Sequence, residues 1–234
     1  MSIFAPQQIS RERTSDAVLQ TLRDSIVTGV FLPGERLNTS EVARKLGLST
    51  APVRDALNRL ESEGLIEIRP RSGTFVSELG PVDVKETFEI RAALECLALE
   101  LGGAKLNADH IAGFHDLLRR MDEPGTGESL REQLNRDFHG LIVEMSGNRR
   151  LIQMYRRVGA HITIARIHHR RSGWQNRLTD EQKDHREIAR AIEEGDLVRA
   201  RAALKAHILA AADRLSSDLA HGSKKAGEAK VPVL

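Results

Sequence analysis

Residues 31–76 read FLPGERLNTSEVARKLGLSTAPVRDALNRLESEGLIEIRPRSGTFV, and the order of breakers and apolar positions in this stretch decides the fold of the first half. Pro33 and Gly34 make a turn before Leu37. Thr39 or Ser40 is placed to cap a short helix whose Val42, Ala43 and Leu46 face inward. Gly47 breaks that helix. Ser49 opens another, running from about Ala51 to Glu63 with Val53, Ala56, Leu57 and Leu60 on one face. Two short helices joined by a tight turn containing Gly form a helix-turn-helix. Leu65 to Arg69 then alternates as a strand, Pro70 to Gly73 is a turn, and Thr74 to Ser77 is a second strand, so a hairpin follows as a wing.

Upstream, a helix begins near Thr14, carries Val18, Leu19, Leu22, Ile26 and Val27 at helical spacing, and ends at Gly29. Residues 1–13, with Pro6 and the charged Arg11, Glu12 and Arg13, are expected to be a flexible arm. Downstream, from Val82 to about Leu219, every apolar pattern has helical period. Six helices are predicted, roughly over 83–103, 107–122, 128–146, 148–171, 179–195 and 196–218. The breaks fall at Gly102 and Gly103, Pro124 to Gly127, Gly147, Ser172 to Gly173, and Gly195. Thr179 with Gln182 has the spacing of a capping box for the fifth. The Lys-, Gly- and Ala-rich tail is expected to be disordered. The expected fold is therefore mainly α. A winged helix-turn-helix domain spans 14–78, with the helix-turn-helix at about 39–58. A C-terminal all-helical antiparallel bundle spans 79–220, and a tail 221–234.

A chain of 234 residues is long for one domain and sufficient for two, each with its own core. The 35 Lys and Arg nearly cancel the 33 Asp and Glu, so the distribution of charge rather than its sum must identify partners. Cys96 is the only cysteine, which excludes a disulfide framework and a thiolate metal cluster. With no apolar signal core and no run approaching the ~18 apolar residues of a membrane span, a soluble cytoplasmic protein without a membrane partner is expected.

In the first half, Ser49, Thr50 and Arg54 fall on the first turns of the second helix of the motif, the part of a recognition helix that approaches bases and phosphates. Arg54 has the reach for a bidentate contact to guanine, and Ser49 and Thr50 can donate to phosphate or base; each is equally at home on any exposed helix. The set is more informative than its members. Residues 31–76 as a whole resemble the GntR family of bacterial regulators, matching L-x-P-G-x-x-L, S-x-x-P-V-R-x-A-L-x-x-L, E-G-L and a wing with G-T-F-V. The resemblance implies double-stranded DNA as partner, with contacts from Ser40, Arg44, Ser49, Thr50, Arg54 and the wing at Ser72 and Gly73. It also implies a homodimer on a palindromic operator. Ser40 and Thr50 stand where many relatives carry Arg.

In the second half, FEIRAALE (88–95), NRDFHGLI (135–142) and DHREIARAIEEGDLVRARAALKAH (184–207) are similar to the FCD effector domain of the FadR branch, in its six-helix, VanR-like form. His139, His185 and His207 each lie on the apolar face of a different helix. One such His is usually a satisfied core residue, but three converging in one bundle read as a site for Zn, Ni or a similar divalent metal. The fourth ligand implied by the resemblance is an Asp one turn before the first His, where this chain has Asn135. Asp137, about 200° round the helix from His139, is poorly placed to replace it. A neutral Asn holds the metal less tightly and leaves its full charge to attract an anion.

Arg91 matches a position that contacts effector carboxylates in relatives, and is equally placed to pair with Glu95 one turn on. Between Met145 and Thr179 there is no acidic residue but Arg149, Arg150, Arg156, Arg157, Arg166, Arg170, Arg171 and Arg177; most are expected on a solvated face, with one or two lining a pocket. The function expected is a ligand-responsive regulator, a repressor, whose effector is a small organic acid. The alternative is a metal-dependent enzyme using the three His. Against it, the chain has no H-E-x-x-H, no Gly-rich phosphate loop and no nucleophile with its base, so no enzyme is expected.

Overall fold

The computed structural model describes residues 6–170 and 178–228. It divides into two compact units, one of residues 1–79 with 160–171 and one of residues 80–159 with 172–234. The first contains α1 (Pro6–Val27), β1 (Arg36–Leu37), α2 (Thr39–Leu46), α3 (Thr50–Ser62), β2 (Ile66–Arg69) and β3 (Gly73–Val76). Val18, Leu22 and Ile26 of α1 meet Val53, Leu57 and Leu60 of α3 in its core. Arg23 of α1 grips Glu63 through Nη2 at 2.7 Å, just beyond the end of α3.

The turn between α2 and α3 depends on Gly47. Its φ of 67° is left-handed, and its N–H closes back on the carbonyls of Ala43 and Arg44, a conformation that costs a residue without Cβ little. At the other end of α2 the cap is Asn38, one residue before the positions expected from the sequence. Its Oδ1 accepts from the N–H groups of Ser40 and Glu41 at 3.0 and 3.1 Å, and the side-chain amide competes as well for those donors as Thr or Ser does. Replacing Asn38 by Ala is expected to cost about 1 kcal/mol, read by urea unfolding; a loss of only a few tenths would mean that water serves those donors equally well.

The wing is a hairpin of β2 and β3, paired Ile66 with Val76 through Arg69 with Gly73. The two-residue β1 pairs with β3 on its other side, giving the order β1-β3-β2. Nothing in the alternation of residues announces so short a strand; it follows from Leu37, which is buried and directed into the core.

The second unit holds α4 (Pro81–Gly102), a 3₁₀ turn (Gly103–Lys105), α5 (Ala108–Asp122), α6 (Glu128–Met145), the first part of α7 (Arg149–Arg170), α8 (Leu178–Glu193) and α9 (Leu197–Glu228). Pro81 occupies the first turn of α4, where its missing N–H costs nothing, and Asp83 accepts from the N–H of Gly80 at 2.8 Å. α4 lies against α6 and α9, α8 against α5 and α9, and α5 against α6. Lys85 reaches Asp213 at 3.4 Å and Arg201 reaches Glu100 at 2.8 Å, which fixes α4 and α9 as antiparallel.

Three expectations need correction. The arm expected over 1–13 is helical from Pro6; proline at a first turn starts a helix rather than preventing one. The tail expected to be disordered over 221–234 continues α9 to Glu228, since its Ala and Lys are good helix formers; residues 229–234 lie outside those described. Thr179 lies inside α8, and Gln182 gives its amide to Asp122 at 2.9 Å instead of closing a capping box. The break expected at Ser172 and Gly173 lies outside the described residues.

Candidate functional site

Two sets of side chains stand out, one on each unit. On the first, Ser49 is the N-cap residue of α3, and Thr50 and Arg54 occupy its first turns. All three are exposed, as are Ser40 and Arg44 on α2 and Ser72 in the wing, while Gly73 is half-buried. The side chain of Ser49 caps nothing, so hydroxyl and helix N-terminal amides both face outward, an arrangement suited to phosphate.

The tip of the wing adds a residue that the sequence did not single out. Arg71 has φ of 64° and is the one non-glycine residue with positive φ among the described residues. Pro70 precedes it, and Ser72 N–H returns to Arg69 O at 3.0 Å. A turn with proline second and positive φ third ordinarily has Gly or Asn at the third place. An arginine held there in a sparsely populated conformation is strain of the kind found at functional sites.

In the second unit, His139 of α6, His185 of α8 and His207 of α9 meet in the core. All three are buried, and a ligand nitrogen from each lies within 4.8 Å of the others. Ring centroids are 5.4 Å apart for His139 and His185, 5.3 Å for His139 and His207, and 4.6 Å for His185 and His207. Phe138 packs on His185 at 4.8 Å, and Phe114 meets Phe138 at 5.2 Å, so one wall is dry and aromatic.

Each imidazole is held through Nδ1. His139 Nδ1 meets Glu95 Oε2 at 2.6 Å, His185 Nδ1 meets Gln182 Oε1 at 3.3 Å, and His207 Nδ1 meets Asp184 Oδ2 at 3.1 Å. The second nitrogen of every ring is then Nε2. Carboxylate or amide oxygens on one imidazole nitrogen, with the other turned to a common centre, are the usual outer arrangement of metal-binding His. The donor set therefore fits a borderline divalent metal such as Zn or Ni. Asn135 is buried one turn before His139, whereas Asp137 is exposed and directed away.

Glu95 is the hub of this core. Besides His139 it accepts from Arg91 Nε at 2.7 Å and from the hydroxyl of Tyr155 at 3.0 Å, all with essentially no exposure at Arg91 and Glu95. Burial holds its carboxyl above the ordinary range, and Arg91 pulls it part of the way back. Burial also raises the Tyr155 hydroxyl, with Glu95 adding to the shift, so that it stays a donor. Of the two placements open to Arg91, the structure has the ion pair. The Asp184 carboxyl is lowered by its bond to His207.

Sequence reading thus found the three His but not what orients them. Asp184 and Tyr155 carry no signal beyond helical spacing, although Tyr155 is the only tyrosine in the chain, and the signal at Gln182 points to a capping box instead. Of the basic run, Arg149, Arg150, Arg156 and Arg157 are exposed; the side chains of Arg166, Arg170, Arg171 and Arg177 lie outside the described residues.

Residues 14–76 match the family model for bacterial regulatory proteins of the gntR family, and residues 86–210 match the FCD domain. The HTH-type transcriptional regulator YdhC of Bacillus subtilis is 31% identical over 192 residues, 81% of this chain and 83% of that one. The Nta operon transcriptional regulator of Aminobacter aminovorans is 36% identical over 159 residues, covering 66% and 73%. Among solved structures, Escherichia coli McbR/YncC aligns with a TM-score of 0.76 at 24% identity, over 87% of this chain and 97% of that one, a likeness of fold. No helix among the described residues is long and apolar enough to cross a membrane.

Proposed function

Because the chain belongs to the GntR family of bacterial transcriptional regulators, with an FCD domain as its second half, we propose that it is an effector-controlled repressor that binds a palindromic operator as a homodimer. It is a DNA-binding regulator and not an enzyme. The reading places residues 14–78 as the DNA-binding domain and 79–220 as the effector and dimerisation domain, in a protein that works in the cytoplasm.

On the DNA side, Ser40, Arg44, Ser49, Thr50, Arg54 and the wing around Ser72 and Gly73 form the contact surface, with Arg71 added from its place at the tip. Arg54, exposed on the second turn of α3, is the base reader in this reading, and Ser49 and Thr50 position the helix on phosphate. Replacing Arg54 by Ala is expected to weaken binding to an operator selected from random duplexes by roughly 10- to 100-fold and to relax preference at one base pair. Fluorescence anisotropy across a set of single-base operator variants measures both. Equal weakening on every duplex would make Arg54 a phosphate contact instead.

In the second unit the observation that carries the reading is the meeting of three buried imidazoles whose Nδ1 atoms are already engaged. His139, His185 and His207, with Asn135, would hold a divalent metal, which supplies positive charge for a carboxylate. Asn135 adds no negative charge of its own, so a small anionic acid is favoured. Arg91, with Nε given to Glu95, meets that acid with the outer edge of its guanidinium. An effector changes operator affinity only by binding the DNA-competent and incompetent states differently. Titration of metal-loaded protein with small carboxylic acids, followed by operator binding, tests the coupling; a bound acid that leaves operator affinity unchanged refutes it.

A further inference from the structure

The Nδ1 atoms of the three imidazoles do not rest on the same kind of partner. Those of His139 and His207 meet the carboxylates of Glu95 and Asp184, and an acceptor there selects the ring nitrogen that carries hydrogen. That of His185 meets the neutral amide of Gln182 at 3.3 Å. An amide has an acceptor at one end and a donor at the other. Turned over, the same side chain would present its NH2 group and hold the ring in the opposite tautomer, with hydrogen on Nε2.

What stands behind Gln182 removes that choice. Its Nε2 donates to Asp122 Oδ1 at 2.9 Å, and Oδ2 of the same carboxylate accepts from Arg186 Nη2 at 2.7 Å. Asp122 is the last residue of α5, and Gln182 and Arg186 lie one turn apart on α8. Both donors thus come from one face of α8, and both acceptors from the end of its neighbour. Partial burial pushes the Asp122 carboxyl up, but its bonds from Arg186 and Gln182 outweigh this and hold it below the ordinary range. An ionised carboxylate has no hydrogen to give, so only the NH2 end of Gln182 can face it. The carbonyl end is left to His185, whose hydrogen then sits on Nδ1 and whose lone pair sits on Nε2.

We infer that Asp122 is a positioning residue for the three-His cluster, setting the tautomer of His185 through the polarity of Gln182. It acts without touching the ring, from a position 60 residues away in sequence from the amide it orients. A neutral imidazole binds a metal through the nitrogen that lacks hydrogen, so the pair of Asp122 and Gln182 keeps Nε2 of His185 as the ligating atom. This deepens the metal reading given above and rests on it for its use, but the tautomer itself exists without metal and is measured without it.

Long-range proton–nitrogen NMR of the metal-free full chain, at a pH above the imidazole range near ~6.5, reads the tautomer of each neutral His. The signals of His185 are those lost in His185→Gln. The native chain is expected to hold His185 with hydrogen on Nδ1. Asp122→Asn, at a side chain 41% exposed, is expected to give a mixture of both tautomers, because an amide at 122 accepts either end of Gln182. Asp122→Asn with Gln182→Glu is expected to restore the single form. The new carboxylate accepts from the ring with one oxygen and from the new amide with the other. His139 and His207 should keep their tautomers in every variant, which a general loosening of the core would not allow. Circular dichroism verifies folding. Titration with Zn is expected to be weakened about two- to fivefold by Asp122→Asn, since only the competent tautomer binds, and recovered in the double variant. A native His185 with hydrogen on Nε2 overturns the polarity assigned to Gln182. An Asp122→Asn protein with the native tautomer overturns the role of Asp122, and a double variant that stays mixed overturns the route through Gln182. A chain with the expected tautomers that binds no metal leaves this inference standing and overturns the metal reading instead.

Discussion

Replacing Arg91 by Met is expected to destabilise the second unit by about 3 to 5 kcal/mol, the usual result of removing one partner from a buried ion pair. Met retains the apolar length of the side chain, so the loss reports charge rather than a cavity. Glu95 would keep its bonds from Tyr155 and His139 but lose the guanidinium paired with it. The double variant Arg91→Met with Glu95→Gln should recover most of the loss, since it leaves no buried charge behind. The effect also has a pH signature. Burial raises the carboxyl of Glu95 in the native chain, and without Arg91 it rises further. A raised acid is a penalty present above its folded pKa, relieved as pH falls through that value, and gone below the ordinary Glu range near ~4.3. The stability gap between variant and native chain should therefore narrow as pH falls from neutral. Urea unfolding at several pH values measures it, and a gap that is constant with pH would show that Glu95 is neutral throughout or that the loss is one of packing.

The elements legible in the sequence are those set by periodicity and breakers. Gly47 fixes the turn between α2 and α3 because its left-handed φ leaves little choice of residue, and the buried faces of α4, α5 and α6 follow from spacing alone. What escaped depends on partners far away in sequence. β1 exists because β3 offers it an edge. Asn38 rather than Thr39 or Ser40 became the cap because all three side chains are competent and only the backbone path selects one. Arg71 is conspicuous only through φ, which the residue name does not reveal.

The same division runs through the cluster of three His. The three His could be found because each sits on the buried face of an amphipathic helix. Their outer partners could not, because Asp184 is one residue from His185 in sequence but serves His207 across a helix pair. The spacing of Gln182 from Thr179 suits a capping box, but in the folded protein Gln182, one turn before His185, contacts both Asp122 and His185. Arg91 was ambiguous for a sound reason. An i, i+4 pair and a ligand contact ask for the same residue at the same place, and here the pair is formed in the core.

Loading the chain, expressed without a His tag, with Zn or Ni is expected to raise its thermal stability, by ~4 kcal/mol when free metal exceeds the dissociation constant a thousandfold. Replacing His185 or His207 by Ala should abolish the gain, because two imidazoles and an amide are too few strong donors for a closed site. Asp184→Asn is the sharper variant. It leaves all three His in place but takes the charged partner from His207 Nδ1, and loss of such a partner costs roughly 10- to 100-fold in metal affinity. Asn135→Asp should act in the opposite direction, tightening the metal by adding an anionic oxygen one turn before His139, while weakening an acidic effector whose attraction depends on the undiminished positive charge. Metal analysis and differential scanning calorimetry on the four variants separate these effects. If neither Zn nor Ni is retained or stabilises the native chain, yet Asn135→Asp takes up metal, then Asn135 is the disabling residue and the pocket recognises its effector by hydrogen bonds from Asn135 and the three imidazoles. If Asp184→Asn binds metal as tightly as the native chain, the outer partner of His207 orients nothing, and the imidazoles are held by packing against Phe138 and their neighbours alone.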